Sequence, residues 1–279
     1  MIIYKEFEPS DVLAEFIKCF WVLERTYDAE TPCENILPDS YIEFILNFGT
    51  PYYLKESGDL PFAFMVGLLK QPLPVYADGT VKLLNVRFYP WGLLSFFDIK
   101  LEQNINTDFT FDLPEELKAK LNELVQKQDY ETAIKEFENF FLEKFLQMNF
   151  DKQTVNAAAQ VLYRERGECK IEDLARMCFT TQRTLERNFN DKLGVSPKSY
   201  ASNVRFDKAK KTLTHDPFTD LTALAQESGY YDQAHFIKDF KTYCGCTPSE
   251  FAEGIKRMSK TFTDRENVVF LQSRKNDPA

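Results

Sequence analysis

Five polar residues at helical spacing in the stretch TQRTLERNFN (181–190) have side chains that can read the edges of DNA bases. Burying the apolar pair Leu185 and Phe189, four residues apart, would direct the remaining side chains outward. Arginine can donate two hydrogen bonds to guanine, glutamine can pair with adenine, and a carboxylate can accept from cytosine. We therefore expect a helix that enters a major groove with five outward residues: Gln182, Arg183, Glu186, Arg187 and Asn190.

A second stretch, DQAHFIKDFK (232–241), repeats this arrangement with other side chains. Burying Phe236 and Phe240 leaves four residues facing outward: Gln233, Ala234, Lys238 and Lys241. The competing interpretation is that the charges in both stretches are solvated surface residues, with Arg183 and Arg187 pairing with nearby carboxylates. His235 directly precedes buried Phe236, which favours a structural role or a place near phosphate over catalysis.

The sequence gives little indication of a metal site or a catalytic site. The chain has two histidines, His215 and His235, both in its second half, whereas an iron or zinc site in a β-barrel enzyme normally needs two or more. The six cysteines are scattered, and Cys244-Gly-Cys246 lacks the two-residue spacer of a zinc or redox pair. We expect no catalytic residues, no metal and no cofactor, although a carboxylate-based hydrolase is not excluded.

Charge is distributed unevenly between the halves of the chain. The net charge is −9, with 13 basic and 25 acidic residues in 1–150 and 21 basic and 18 acidic residues in 151–279. An acidic half joined to a mildly basic half is a weak indication that the second half meets nucleic acid. The chain contains neither a secretion signal nor an apolar run long enough to span a membrane, so we expect a cytoplasmic protein.

An internal repeat organises the second half. Residues 171–200 align with residues 221–251 at seven apolar, glycine or proline positions, among them Leu174-Ala175 with Leu224-Ala225 and Gly194 with Gly245. Each copy predicts a short helix, a tight turn and a second helix that ends at the glycine. Four polar residues stand where helices should begin: Thr181, Ser196, Asp232 and Thr247. In the helices that follow Ser196 and Thr247, the first backbone N–H groups are available to phosphates.

Residues 154–253 resemble the DNA-binding domain of the AraC/XylS family of bacterial transcription regulators. The resemblance is carried by these stretches: RTLERNF (183–189), LGVSP (193–197), ALAQESGYYDQAHF (223–236) and GCTPSEF (245–251). It implies two helix-turn-helix units and base contacts from six positions: Arg183, Glu186, Arg187, Gln233, Ala234 and Lys238. One departure is Phe179, which stands where the family has glycine, so the first turn either has another backbone or accepts strain.

A long helix over residues 197–213 should join the two units and hold their reading helices about one DNA turn, roughly 34 Å, apart. Lys208, Lys210 and Lys211 lie on this helix, and we expect them on its solvated face. Binding of duplex promoter DNA follows from the arrangement, and RNA polymerase is a further candidate partner.

The first half has a different character, with short β-rich runs separated by turn residues. Four predicted strands are 41–48, 62–69, 73–77 and 80–89, with turns that include Pro90-Trp91-Gly92. Two amphipathic helices follow within 112–148, each with an aspartate near its start. The patterns Pro38-Asp39-x-x-x-Glu43 and Phe88-x-Pro90-x-Gly92 resemble the cupin-like sensor domains of one AraC-type subgroup.

The first half therefore has several candidate roles. It could bind an unidentified small-molecule effector in an apolar pocket, with Asp39 and Glu43 as anchors beside Phe88 and Trp91. It could instead be a ligand-free dimerisation scaffold, and the family resemblance implies a homodimer. An enzyme or adaptor with an appended helix-turn-helix is the alternative from another class.

The expected fold is α+β with two domains. A β-rich cupin-like domain ending in two helices occupies residues 1–150, an all-α domain of two helix-turn-helix units joined by a linker helix occupies residues 151–260, and residues 261–279 form a tail. Whether the protein activates or represses is not encoded in any pattern that we find.

Overall fold

The computed structural model describes residues 2–28, 33–102, 104–107, 113–147 and 154–259. The expected domain boundary near residue 150 and the tail at 261–279 lie outside these ranges. The predicted fold class is confirmed, since a β-rich part is followed by helices. Within the described ranges, none of the helices combines the length and apolar composition needed to cross a bilayer.

Two antiparallel sheets form the first part of the chain. In the described residues the larger sheet has six strands, ordered β1-β2-β9-β4-β7-β10: β1 Ile2–Phe7, β2 Ile17–Tyr27, β9 Gly79–Phe88, β4 Ile42–Asn47, β7 Ala63–Val66 and β10 Ile105–Asn106. The smaller sheet is ordered β3-β8-β5-β6: β3 Cys33–Ile36, β8 Leu73–Tyr76, β5 Tyr53–Leu54 and β6 Gly58–Asp59. The four strands predicted from the sequence correspond to β4, β7, β8 and β9.

Alternation of side chains along the strands gives the larger sheet two buried faces. On β2, Phe20 and Val22 point into a core shared with helices, whereas Trp21 and Leu23 point into a second core between the two sheets. The interior between the sheets is therefore filled by side chains rather than left open.

Three helices follow the strands in this part: α1 Pro90–Phe96, α2 Glu115–Gln126 and α3 Tyr130–Leu146. Phe137 and Phe141 of α3 are fully buried against the larger sheet. The prediction of a turn at Pro90-Trp91-Gly92 is wrong, because proline at the first position begins α1. Asp129 caps α3 as expected, but the N-cap position of α2 is Pro114, which supplies no side-chain hydrogen bond.

The remaining helices have the order predicted from the repeat: α4 Thr154–Arg164, α5 Ile171–Met177, α6 Gln182–Leu193, α7 Pro197–His215, α8 Leu221–Glu227, α9 Gln233–Cys244 and α10 Pro248–Ser259. One apolar core runs without interruption from the larger sheet through α3 and α4 to α6 and the start of α7. The helices α8, α9 and α10 pack with α7 around a separate cluster. The first repeat unit is thus joined to the β-rich part by buried contacts, which position its reading helix.

Candidate DNA-binding interface

Helix α6 is anchored by the apolar pair that the sequence indicated. Leu185 and Phe189 are fully buried, and the expected outward residues are all exposed: Gln182, Arg183, Glu186, Arg187 and Asn190. Thr181 begins the helix by accepting a hydrogen bond from the backbone N–H of Thr184 at 3.2 Å. Gly194 ends it in the left-handed conformation, at φ 69°.

The two arginines of α6 are available to a ligand. Among the described residues neither Arg183 nor Arg187 has an ion-pair partner. The carboxylates considered as partners are engaged elsewhere, since Glu186 accepts from the Gln182 amide at 3.1 Å and Asp191 lies 4.0 Å from Lys100. Two unpaired guanidinium groups one helical turn apart form a surface suited to guanine edges or phosphates.

Helix α9 repeats this construction in the second unit. Phe236 and Phe240 are fully buried, and the expected outward residues are exposed: Gln233, Ala234, Lys238 and Lys241. Asp232 caps the helix, accepting from the His235 backbone N–H at 2.7 Å. The His235 ring packs edge-on against Tyr230, with Nε2 3.4 Å from Asp239, so its contacts are those of a structural side chain.

The two remaining caps differ in what they offer to a phosphate. Ser196 begins α7 by accepting from the Ser199 N–H at 3.1 Å. Thr247 and Glu250 form a reciprocal capping box before α10, and the Glu250 carboxylate accepts from the Thr247 N–H at 2.7 Å. Because that carboxylate is negative, it competes with a phosphate at the start of α10, whereas the start of α7 carries no acidic residue in its first turn.

The linker helix α7 corrects one expectation. The expectation of a solvated face is wrong for Lys210, which is buried and donates to the Pro38 carbonyl at 3.0 Å. Lys211 keeps a side chain that is 53% exposed, and it donates to the Tyr41 hydroxyl at 3.0 Å. Lys208 donates to the carbonyl of Glu227. The physical reason is that Lys210 and Lys211 lie where α7 packs against the β-rich part, whereas Lys208 lies beside the end of α8.

A buried polar network joins α7 to the loop that precedes β4. Asp207 accepts from Lys211 at 2.8 Å and from the Ser40 hydroxyl at 2.9 Å. Burial opposes ionisation of Asp207, but the Lys211 and Lys210 ammonium groups outweigh it and hold the pKa of this carboxyl below its usual value. Asn203, also fully buried, donates to the carbonyls of Asp39 at 3.0 Å and of residue 69 at 2.8 Å. The two parts of the chain are therefore fixed to each other by directional bonds.

The four residues expected around an effector make different kinds of contact inside the protein. Glu43 accepts from Trp21 Nε1 at 2.8 Å and from Arg87 Nε at 2.6 Å, so both its oxygens are used inside the protein. Phe88 is fully buried in the core beneath α3. Burial raises the pKa of Asp39, and Lys210 only partly offsets it.

Trp91, the fourth, lies at the junction between the two parts. Its indole N–H donates to the Glu15 carbonyl at 2.8 Å, and its ring stacks on Tyr89 with centroids 4.6 Å apart. Tyr163 of α4 packs edge-on against Trp91 at 5.5 Å. These contacts make Trp91 part of a packed aromatic cluster that spans the junction.

A cleft of about 500 Å³ lies beside this junction, between α4 and α7. The four basic side chains that line it were not singled out as a group by the sequence: Arg164, Arg166, Lys208 and Lys211. Their only sequence signal is spacing on two helices some 40 residues apart, and the fold brings them together. Within the described ranges, no group of three or more His, Cys, Asp or Glu side chains is arranged to hold a metal ion.

The repeat geometry agrees with comparisons to known proteins. The sequence of residues 174–254 matches the family model described as a helix-turn-helix domain. Residues 174–254 form an AraC-type helix-turn-helix domain. Residues 5–110 match a family model described as a domain of unknown function, so the AraC-type domain is joined to a β-rich part whose cupin-like character stays a prediction.

Curated relatives of the AraC-type domain are transcription regulators. An uncharacterized HTH-type transcriptional regulator of Haemophilus influenzae is 30% identical over 105 residues, which are 38% of this chain and 35% of that protein. The urease operon transcriptional activator of Escherichia coli is 27% identical over 129 residues, which are 46% of this chain and 42% of that protein. The chain thus spans 35% and 42% of the length of these relatives.

A solved structure of ToxT from Vibrio cholerae is also similar to this chain. It superposes over 83% of this chain and 95% of ToxT with a TM-score of 0.49 and 13% sequence identity. A transcriptional regulator from Chromobacterium violaceum, described as containing an AraC-type DNA-binding domain, aligns over 37% of this chain and 91% of its own at 21% identity, with a TM-score of 0.34.

Proposed function

We propose that this protein is a sequence-specific transcription regulator that binds duplex promoter DNA through α6 and α9. The observation that carries the proposal is the pair of exposed guanidinium groups of Arg183 and Arg187 on a helix whose other face is fixed by Leu185 and Phe189. Because both guanidinium groups are exposed and form no ion pair among the described residues, their donors are available to a ligand that supplies negative charge and acceptors. Duplex DNA supplies both.

The two reading helices act together in this proposal. Helix α7 has 19 residues, which at a rise of about 1.5 Å per residue makes it about 28 Å long. A rigid connector of this length suits two helices that enter successive major grooves on one face of the duplex, about 34 Å apart. Helix α6 supplies the stronger base readout, because Arg183 and Arg187 can each form paired hydrogen bonds, whereas Ala234 and Lys238 of α9 cannot.

The β-rich part is proposed to control this binding rather than to catalyse a reaction. A small-molecule effector changes the geometry of the two parts or of a homodimer, and thereby the half-site spacing that is bound or the contact with RNA polymerase. The buried bonds of Asn203 and Asp207 supply the mechanical link that such coupling needs. Because its target is bacterial promoter DNA, the protein acts in the cytoplasm.

Selection of genomic DNA fragments by the purified protein, followed by sequencing, tests the proposal. We expect enrichment of a motif with two half-sites about one helical turn apart, and a binding constant that falls steeply with salt because several phosphates are neutralised. Fragments bound without any shared motif, or no binding at low salt, would refute specific DNA recognition. Repeating the selection with cell extract separates an effector-responsive regulator from a ligand-independent one.

A further inference from the structure

The cleft between α4 and α7 concentrates positive charge. Four cations line it, two from the end of α4 and the turn after it and two from α7: Arg164, Arg166, Lys208 and Lys211. Asp207 is the acidic residue in its wall, and it is already bonded to Lys211, Lys210 and Ser40. The other three cations form no ion pair among the described residues, and the carboxylates of Glu168 and Glu227 lie close enough to Lys208 to favour its charged form in part.

Three of these cations have no carboxylate partner among the described residues. Arg164 and Arg166 take part in no ion pair there, and Lys208 donates to a backbone carbonyl that carries no charge. Burial lowers the pKa of Lys208 and the nearby guanidinium of Arg166 lowers it further, while the carboxylates of Glu168 and Glu227 offset part of this shift. The proximity of Arg166 to Lys208 therefore carries an electrostatic cost that an anion placed between them would reduce.

The backbone that presents Arg166 is also unusual. Arg166 has φ 54°, in the left-handed region that residues other than glycine adopt at a cost, and Gly167 follows it at φ 74°. Arg205 donates to the Gly167 carbonyl at 2.5 Å, which ties this turn to α7. The turn is thereby fixed so that Arg166 lines the cleft.

We infer that this cleft binds a small organic molecule carrying two or more negative charges, such as a phosphate ester or a polycarboxylate. A volume of about 500 Å³ lies within the ~300–1,000 Å³ of small-molecule sites. Guanidinium groups form paired hydrogen bonds with phosphate and carboxylate oxygens, and Lys208 adds a point charge. A recess with the Asp207 carboxylate in its wall fits a small ligand better than the convex backbone of a duplex.

The position of the cleft connects this ligand with regulation. Ser40 of the β-rich part lines it together with α7, and Lys211, which also lines it, is bonded to Tyr41 of that part. A bound anion would compete with Asp207 for Lys211 and so alter the bonds that join the two parts. The role of this anion as the effector rests on the proposed function, whereas its binding in the cleft does not.

Calorimetric titration of the full chain tests the inference, with inorganic phosphate, glucose 6-phosphate and citrate as probes at constant ionic strength in chloride. We expect one bound anion per chain for at least one probe, and comparison of the three distinguishes phosphate esters from polycarboxylates. Arg166→Asn keeps a residue that tolerates the left-handed backbone, while Lys208→Gln and Arg164→Gln keep polar side chains. Each should weaken binding at least tenfold.

Lys170→Gln is the matched control, because this substitution also removes one positive charge, and Lys170 is exposed and lies outside the lining of the cleft. It should bind the probe as the unaltered protein does. Thermal melting shows which variants fold, and two folded cleft variants with unchanged affinity would overturn the inference. Absence of binding by all three probes would also overturn it.

Two further outcomes separate this inference from the proposed function. If the cleft variants reduce DNA binding while no probe binds the unaltered protein, the cations are phosphate contacts and the inference is wrong. If a probe binds with the expected variant effects but DNA selection yields no motif, the anion site stands and the proposed function fails.

Discussion

Replacing Phe179 by glycine should stabilise the protein. Phe179 has φ 51° and Gly229, at the matching position of the second unit, has φ 74°. The turns also share their hydrogen bonds, since Thr180 N–H donates to the Ala175 carbonyl at 2.9 Å and Tyr230 N–H to the Ala225 carbonyl at 3.0 Å. Of the two explanations that the sequence left open, the first turn therefore has the same backbone and accepts strain.

The size of the effect follows from three terms. A left-handed backbone costs a residue with a Cβ about 1–2 kcal/mol, and relief of this cost favours the variant. Glycine loses about 0.5–1 kcal/mol more backbone entropy on folding, which opposes it. The Phe179 side chain is 98% exposed, so its removal sacrifices almost no buried apolar surface. The variant Phe179→Gly should gain about 0.5–1 kcal/mol.

Urea unfolding of the full chain, followed by circular dichroism, measures this gain as a higher midpoint at unchanged slope. Gly229→Ala is the reciprocal control: its backbone is left-handed, and a Cβ would lie 2.6 Å from Glu168 Cγ, so it should lose more than about 1 kcal/mol. If Phe179→Gly leaves the midpoint unchanged or lowers it while Gly229→Ala destabilises as expected, the strain assigned to Phe179 is absent.

Three more predictions concern the interface and the junction. Arg183→Ala or Arg187→Ala should weaken binding to the selected DNA by about 1–3 kcal/mol and relax base choice, whereas Lys5→Ala in the β-rich part should not; equal affinities in a gel-shift titration would contradict this. Asn203→Ala leaves two buried carbonyls without a donor and should lower the free energy of unfolding by about 2–4 kcal/mol, measured in urea. Since the folded pKa of Asp207 is depressed, its stabilisation is present above pH ~4 and is lost as the pH falls through that folded pKa. The deficit of Asp207→Asn at pH 7 should therefore shrink below pH 4, and a deficit independent of pH would refute the ion pair.

Local pattern was sufficient for much of the fold. The β-rich composition of 41–48 and 80–89, bounded by turn residues, predicted β4 and β9 within two residues at each end, and the buried pairs of α6 and α9 followed from four-residue spacing. Pro90-Trp91-Gly92 predicts a turn but begins α1, because proline and glycine in close sequence suit both a turn and a helix start. Nothing local distinguishes these two structures.

The junction could not be predicted in the same way. Asn203, Asp207 and Lys210 lie at i, i+4 and i+7, a polar stripe that on most helices faces water. Here it is buried because the β-rich part covers it, and such a contact between residues about 170 positions apart leaves no periodic signal. Arg164 and Lys208 meet in the cleft for the same long-range reason.

Because the apolar residues of the two repeat units belong to separate clusters, we expect the units to differ in how readily they open to solvent. Phe189 in α6 belongs to the core that reaches the large sheet, so exposing its amides to solvent requires opening much of the molecule. Phe240 in α9 belongs to a smaller cluster built on one side of α7. Amide hydrogens of α8–α10 should therefore exchange before those of α6 in a hydrogen-exchange measurement on the full chain.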